Sequence, residues 1–393
     1  MAYNIADLIE HAVDLMGDRV ALETDGRSET YTELEQRANG LAHTLRALGV
    51  APGESVGLYS RNGIEAVESM VAIFKARAVM VNVNFRYVES ELEHILTDSD
   101  TKVLIVERQY VDKVANVLSK APKLRAVIVI EDGSDLDISA VDGLPYEKAV
   151  ADGGTERDFE ARSDDDIYML YTGGTTGNPK GVVWRQEDVF RVLGGGIDWY
   201  SGEPINDEWH FAKTGAEGGQ LVRFPIPPFI HGGSQWAVFQ ALFGGGKAIV
   251  YPEFGAHQTW EIVERHKVNV IFITGDAMGR PMIDALGEKD YDLSSVVSVA
   301  SSAALFSASV KDQFIDKFPN AIIIDAIGSS ETGFSGMGII SKETSHSGGG
   351  PRARPTCRQL FCARTVRSSN PAVARSASWP EPGTSRCGTT TIQ

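Results

Sequence analysis

The chain has 393 residues and a formal net charge of −16, and hydrophobic residues make up 42 % of it, which supports a large core and excludes a disordered protein. The acidic balance argues against a protein that coats nucleic acid or anionic membranes. No apolar run approaches the roughly 18 residues of a membrane-spanning helix, so a globular, cytoplasmic protein of two or three structural units is predicted.

Short apolar runs alternate with amphipathic stretches along the first part of the chain. In order, they predict a helix over 33–48, a strand over 56–59, a helix over 64–75, a strand over 79–83, a helix over 89–96, a strand over 103–106, a helix over 110–118 and a strand over 126–130. Residues 131–165 are acidic and rich in Gly, Asp and Ser, and are predicted to be a linker. Buried strands separated by helices indicate a doubly wound parallel sheet.

A second alternating block follows the linker. It predicts strands over 167–171, 222–226, 248–251, 270–274 and 321–325, with helices over 258–266 and 308–318. The fold class is therefore α/β, with two doubly wound sub-domains at about 1–165 and 166–350.

A run rich in glycine and threonine directly follows the strand predicted over 167–171. It consists of Thr172, Gly173, Gly174, Thr175, Thr176, Gly177, Asn178, Pro179 and Lys180. Small residues let backbone N–H groups and hydroxyls approach an anion, and Lys180 adds a cation, so the run predicts a polyphosphate-binding loop. It is not a Walker A loop, because Asn178 and Pro179 separate Gly177 from Lys180. An ordinary surface loop is the alternative.

The run resembles the signature loop of the adenylate-forming superfamily, which contains acyl-CoA synthetases, luciferases and peptide-synthetase adenylation domains. It differs in Gly173, where the family commonly has serine. In the family this loop holds the β- and γ-phosphates of ATP. The resemblance therefore implies ATP as a substrate, Lys180 as a catalytic residue and Thr172 as a residue near the metal.

Residues 327–331 resemble a second family motif, Y-G-x-T-E. The resemblance assigns Ser330 to the α-phosphate and the catalytic Glu331 to Mg²⁺. Ile327 stands where an aromatic residue normally lies against adenine, and Asp325 stands where the adenine amino group is normally contacted. The remaining residues that the family places along the nucleotide are Ser302, Ala303, Ala304, Ala326, Gly328 and Ser329. Taken alone, this second motif would more often be a helix N-cap.

Residues 225–231 resemble the P-x-x-H region of the family, which implies a catalytic His231 between the nucleotide and carboxylate sites. An isolated histidine beside an apolar run is more often a core residue. The apolar residues around it predict either a hydrophobic acyl pocket or ordinary core, with equal weight; they are Phe229, Trp236, Phe239, Leu242 and Phe243. The similarity extends over about residues 5–350 and is greatest to actinobacterial long-chain fatty acyl-CoA and steroid side-chain acyl-CoA ligases.

The last part of the chain differs from the rest. Residues 351–393 hold all three cysteines, seven arginines and one acidic residue, with no lysine, aspartate or histidine. They do not match the family, whose ribose-binding aspartate, hinge and C-terminal domain are absent here. This predicts an incomplete barrel sub-domain, no C-terminal domain and a disordered tail. Back-translating the tail and shifting its frame gives a family-like string, so a frameshift is the hypothesis, and a genuine basic tail is the alternative.

The resemblance implies that MgATP converts a fatty or steroid acid into acyl-AMP, and that CoA then displaces AMP to form a thioester. Without the C-terminal domain, thioester formation is expected to be weak or absent. The alternatives are a truncated, non-catalytic remnant that binds nucleotide or acyl ligand, and an amino-acid adenylation module. No nucleic-acid partner is expected, while a peripheral membrane contact and the oligomeric state are left open.

Overall fold

The computed structural model describes residues 3–173, 177–193, 196 and 204–342. The helices in these ranges are α1 (Ile5–Met16), α2 (Tyr31–Ala47), α3 (Ile64–Lys75), α4 (Glu89–Asp98), α5 (Val111–Val117), α6 (Tyr146–Gly153), α7 (Gln186–Leu193), α8 (His210–Glu217), α9 (Gly232–Phe243), α10 (Ala256–His266), α11 (Gly275–Glu288) and α12 (Ala308–Lys317). None of the helices in the described ranges combines the length and the apolarity that a membrane crossing requires. The tail predicted over 351–393 lies outside the described residues.

The strands form two large sheets and one hairpin. They are β1 (Val20–Thr24), β2 (Arg27–Thr30), β3 (Ser55–Tyr59), β4 (Val79–Asn82), β5 (Val103–Glu107), β6 (Ala126–Ile130), β7 (Leu144–Pro145), β8 (Ile167–Thr172), β9 (Lys180–Arg185), β10 (Val222–Pro225), β11 (Lys247–Ile249), β12 (Val270–Ile273), β13 (Ser298–Ser301), β14 (Ile322–Ser329) and β15 (Gly333–Ile340).

The smaller sheet is parallel throughout, with the strand order β4-β3-β5-β6-β7. Every residue of β3, β4 and β5 is buried, because helices cover both faces of the sheet. These strands follow the predicted ones within one residue at each end. The prediction of a doubly wound α/β fold is confirmed.

The larger sheet has eight strands in the order β15-β14-β13-β12-β10-β11-β1-β2. Its six inner strands run parallel, and β15 and β2 are antiparallel strands at the two edges. β1 joins this sheet by pairing Leu22 with Ala248 of β11. The sub-domain boundary at about residue 165 stays a prediction, and the strands do not divide there, because β1 and β2 come from the first thirty residues.

The linker predicted over 131–165 is partly wrong, because it contains β7 and α6. β7 extends the parallel sheet beside β6, and α6 packs against α2. The two helices approach so closely that a Cβ on Gly40 would lie 2.1 Å from the carbonyl oxygen of Val150, and one on Gly153 would lie 1.9 Å from that of Gly40. Few apolar residues of α6 make this contact, and acidic residues surround them. The sequence pattern therefore did not predict the helix.

A cluster of buried ions joins the first three helices to the segment that follows α6. Lys75, at the end of α3, is 0 % exposed and forms ion pairs with Glu10 of α1 and with Glu35 of α2, the latter at 3.0 Å. Arg162 pairs with Glu10 at 2.7 Å and also with Asp7. We call these five residues the Lys75 cluster; it ties three helices and a connecting segment together with charges removed from water.

Candidate functional site

The predicted motifs meet at one edge of the larger sheet. Strands β10, β12, β13 and β14 are parallel neighbours, so their carboxyl ends lie side by side. Residues 226–231 follow β10, residues 302–305 follow β13, and residues 326–331 include the end of β14 and the turn after it. Ser301 and Asp325 are partners in the register of β13 and β14. Ligands of doubly wound folds bind at this kind of edge.

The predicted phosphate loop is the tip of the hairpin formed by β8 and β9. Thr172 lies opposite Lys180 in the register, so residues 173–179 connect the two strands. Gly177 has φ +100°, and neither it nor Gly173 has a heavy atom within 4 Å of an added Cβ position. Lys180 is exposed, and its ammonium group forms no ion pair or hydrogen bond with a described residue. Gly174, Thr175 and Thr176 lie outside the described residues.

A single hydrogen bond connects this hairpin to the second motif. Trp184 on β9 donates from Nε1 to the backbone oxygen of Ser330, at 2.8 Å. Ser330 begins the turn from β14 to β15, which is closed by the Thr332 N–H donating to Ser329 Oγ at 3.2 Å. Glu331 is exposed in this turn, and within the described ranges its carboxylate has no partner. Lys180 and Glu331, two oppositely charged side chains without a partner in the described part of the chain, therefore extend from adjoining elements.

The predicted Mg²⁺ can be compared with the side chains that could act as its ligands. The described part of the chain has no group of three or more His, Cys, Asp or Glu side chains that could enclose a metal ion. One free carboxylate, Glu331, and the hydroxyl of Thr172 suit a Mg²⁺ ion that keeps phosphate oxygens and water as its other ligands. Both assignments stay predictions.

The segment that carries His231 is held by three buried amide side chains. Asn62 donates to the oxygen of Pro227 at 3.1 Å and accepts from the N–H of Phe229 at 2.7 Å. Gln235 donates to the oxygen of Phe229 at 2.6 Å. Asn82, at the end of β4, donates to the oxygen of Ile230 at 2.6 Å. The backbone on the approach to His231 is thereby fixed by β4, by the connection after β3 and by α9.

His231 itself is the N-cap residue of α9; part of the residue is open to solvent, while neighbouring atoms displace much of the water around the ring. Loss of water around the ring, and then the positive charge of Arg86, lower the pKa of His231 below its ordinary value of 6.5. The imidazole is therefore neutral at pH 7. A neutral ring at this position can contact a carboxylate substrate without holding it in an ion pair.

The residues predicted to contact the base are at the end of β14. Asp325 is buried and accepts a hydrogen bond from Lys311 Nζ of α12 at 2.7 Å. This ion pair engages one carboxylate oxygen, Oδ2. Ile327 is 46 % exposed, so its apolar side chain is open to a flat ring, and the neighbouring Gly328 and Ser329 are exposed as well.

The segment over 302–305 folds across the start of α11. Asp276 donates its N–H to the oxygen of Leu305 at 2.8 Å, and a Cβ on Gly275 would lie 2.3 Å from that same oxygen. Ala303 is exposed and has φ +68°, in the left-handed region. The left-handed region favours glycine, so the Cβ of an alanine is strained there.

Replacing Ala303 by glycine is expected to raise the free energy of unfolding by about 1 kcal/mol, because alanine at positive φ is strained by roughly that amount. The measurement is urea denaturation with linear extrapolation. Ala304, the next residue, is not at positive φ. Ala304→Gly is the matched control and is expected to leave stability unchanged or lower it. Equal effects of the two substitutions would contradict the assignment of strain to Ala303.

The aromatic residues after His231 lie in the core. Trp236 is 3 % exposed, Phe239 0 % and Phe243 1 %, and the ring centroids of Trp236 and Phe239 are 5.4 Å apart. Of the two interpretations left open by the sequence, these three side chains support ordinary core. A cleft of about 410 Å³ lies at the opposite, amino-terminal ends of β13 and β14, between Lys289 and Lys317, and it holds none of the motif residues.

Five residues that support the site were missed as site residues from the sequence. They are Asn62, Asn82, His94, Trp184 and Gln235. His94 of α4 lies 3.1 Å from the oxygen of Pro179 and 3.3 Å from Nδ2 of Asn178, and so contacts the end of the phosphate loop. Polar residues at or just after the ends of apolar strands β3 and β4 were the available signal for the two asparagines.

The chain is similar to known proteins over most of its length. The model of the family described as AMP-binding enzyme matches residues 9–360. The chain is 62 % identical over 360 residues to a 3-oxocholest-4-en-26-oate–CoA ligase of Rhodococcus rhodochrous, covering 90 % of this chain and 65 % of the relative. It is 52 % identical over 354 residues to a medium/long-chain-fatty-acid–CoA/3-oxocholest-4-en-26-oate–CoA ligase of Mycolicibacterium smegmatis, covering 89 % and 64 %.

A solved structure shares the fold. The anthranilate CoA ligase AuaEII, in complex with anthranoyl-AMP, superposes with a TM-score of 0.73 at 22 % identity, over 86 % of this chain and 62 % of that one. The chain thus spans about 65 % of the length of the curated relatives that it matches.

Proposed function

Since the chain belongs to the AMP-binding enzyme family, we propose that it is an acyl-CoA ligase that activates a hydrophobic carboxylic acid with ATP. The observation that carries the proposal is the hydrogen bond from Trp184 to Ser330, because it joins the element that bears Lys180 to the turn that bears Glu331. Neither charged side chain has a partner among the described residues, so both are available to a nucleotide.

In the first proposed step, a carboxylate oxygen of the acid forms a bond to the α-phosphorus of ATP, and the bond from that phosphorus to the bridging oxygen of the β-phosphate breaks. The products are acyl-AMP and pyrophosphate. Negative charge grows on the leaving phosphate, where Lys180 and the N–H groups of the loop can stabilise it. Mg²⁺, when bound, neutralises charge on the phosphate oxygens, and Glu331 would help to hold it.

In the second step, which the intact family carries out and which is expected to be weak or absent in this chain, the thiol of CoA loses its proton and attacks the acyl carbon, and AMP leaves. The substrate proposed is a steroid or long-chain fatty acid, because the names of the relatives at 62 % and 52 % identity specify such acids. A neutral His231 fits this choice, since it adds no fixed charge beside an apolar acyl group.

The test is exchange of labelled pyrophosphate into ATP by the full chain, with Mg²⁺ and one acid at a time. Exchange is expected with 3-oxocholest-4-en-26-oate or a long-chain fatty acid, and none is expected with amino acids. Adding CoA and measuring thioester then tests the second step separately. Exchange that depends on an amino acid would instead support an amino-acid adenylation module.

Binding of MgATP, measured by calorimetry, distinguishes the remaining outcomes. Nucleotide binding without exchange for any acid would support the alternative of a non-catalytic remnant, which the span of about 65 % of the relatives' length keeps open. Absence of both binding and exchange would overturn the proposal altogether.

A further inference from the structure

Asn82 is a buried asparagine whose side chain bonds two separate segments of the site. It is the last residue of β4 and is 6 % exposed. Its Nδ2 donates to the backbone oxygen of Tyr171 at 3.0 Å and to that of Ile230 at 2.6 Å, and its Oδ1 accepts from the backbone N–H of Tyr171 at 2.7 Å. Both donors and the acceptor oxygen of the amide are therefore engaged.

The two segments are the ones that lead into the site. Tyr171 is the residue before Thr172, where the phosphate loop begins, and Ile230 is the residue before His231. Within the described ranges, no other side chain bonds the backbone of both segments. Gln235 comes nearest, but it bonds the hydroxyl of Tyr168 at 2.8 Å, which is a side-chain contact and not a backbone one.

The contact with Tyr171 takes the place of strand pairing. β8 lies beside β4, yet its ladder partner is β9, and β8 and β9 form a two-stranded sheet of their own. Asn82 bonds both the N–H and the C=O of Tyr171, as a backbone partner in a ladder would. Among the described residues, Asn82 is thus the strand residue of the parallel sheet that hydrogen-bonds to the hairpin, and its amide also holds the residue before His231.

We propose that Asn82 is a positioning residue that fixes the phosphate loop relative to His231, so that the rate of acid activation depends on its amide. This inference rests on the proposed function. Displacement of a reacting group by about 1 Å costs roughly 10²-fold in rate, so freeing either segment should lower turnover more than it lowers ATP affinity.

The experiment compares Asn82→Leu and Asn82→Asp with the wild type in pyrophosphate exchange. The leucine has the same branched heavy-atom skeleton and makes none of the three bonds, so kcat is expected to fall about 10²-fold, with a smaller change in the KM for ATP. The aspartate keeps the acceptor but loses both donors and places a carboxylate against two carbonyl oxygens. Protonation restores one donor, so the activity of Asn82→Asp relative to wild type is expected to rise as the pH is lowered.

Asn39→Leu is the matched control. Asn39 is 1 % exposed and makes one hydrogen bond through its side chain, to the oxygen of Thr155 at 2.9 Å, away from the site. It is expected to lower the midpoint of thermal unfolding and to leave kcat unchanged. Equal losses of kcat in Asn82→Leu and Asn39→Leu, or a relative pH profile of Asn82→Asp that stays flat, would overturn the proposal.

Hydrogen–deuterium exchange of the same full-length proteins gives a readout that needs no catalysis. Asn82→Leu is expected to speed amide exchange over 167–172 and over 226–231 together, while Asn39→Leu leaves both unchanged. If the wild type activates no acid, the proposed function fails, and this measurement alone decides the positioning role. Faster exchange in one of the two segments without the other would contradict it.

Discussion

Replacing Lys75 by methionine is expected to lower the free energy of unfolding by about 3–5 kcal/mol, which is typical of removing one partner from a buried ion pair. Lys75 is 0 % exposed and lies between Glu10 and Glu35. Burial lowers the pKa of Lys75, and the charges of Glu10 and Glu35 act in the opposite direction, favouring its charged form. Methionine fills similar space but leaves the carboxylates with less positive charge in a dry environment.

The effect of Lys75→Met on stability is expected to depend on pH because of the pKa of Glu10. Burial by itself would raise the pKa of Glu10, but hydrogen bonds and charges from Arg162 and Lys75 outweigh it and lower the pKa to about 2, from 4.5. A carboxyl group with a depressed pKa in the folded state contributes stability above pH 4.5 and loses that contribution as the pH falls toward 2. The difference in the free energy of unfolding between Lys75→Met and wild type should therefore become smaller below about pH 4.

Lys148→Met serves as the control for charge removal in general. Lys148 pairs with Asp152 one helical turn away, and the two side chains are 59 % and 55 % exposed. Its loss should change the free energy of unfolding by about 0.5 kcal/mol or less. Urea denaturation at pH 7 measures the free energy of unfolding of both variants. Comparable effects of the two substitutions would show that the Lys75 cluster is not a stabilising centre.

Lys180→Met is expected to lower acid-dependent pyrophosphate exchange by about 10²-fold or more, which is the usual loss when one group that stabilises developing charge is removed. Stability should be unchanged, because Lys180 is exposed and has no partner in the described part of the chain. The readouts are the exchange rate at saturating acid and the midpoint of thermal unfolding. The predicted pattern is loss of activity with no loss of fold.

Lys120→Met tests whether a change of net charge alone affects the reaction. Lys120 is a surface lysine, 57 % exposed and paired with Glu93 at 2.8 Å, and it is not part of the predicted site. This variant should retain wild-type exchange. If Lys180→Met also retained it, the phosphate-binding role assigned to the loop would be wrong.

Local sequence patterns were sufficient to predict most of the parallel strands. β3, β5 and β6 are continuous apolar runs bounded by polar residues, so their burial could be predicted directly. β13 was missed because its residues 298–301 include two serines. The pairing of β1 with β11 could not be predicted, since nothing in the local pattern of a strand specifies a partner more than two hundred residues away.

The parts of the site that could be predicted are those formed by residues close together in the sequence. Small residues around Lys180 and the short run that ends in Glu331 stand out by composition and spacing alone. The roles of Asn82 and Trp184 depend on which backbone atoms the fold brings to them, and this information appears when β4, β8 and β14 are assembled. The roles of the motif residues in binding ATP and Mg²⁺ stay predictions.

Because Leu22 of β1 pairs with Ala248 of β11, β1 cannot complete its pairing until β11 has been synthesised. At translation rates of about 5–20 residues per second, the partner of β1 emerges roughly 10–45 s after β1 itself. Ala21 and Leu22, both 0 % exposed in the finished sheet, have no strand beside them on that side until then. β1 is therefore made well before it can reach its final place, and a ribosome-bound chain must keep the hairpin of β1 and β2 from aggregating in the meantime.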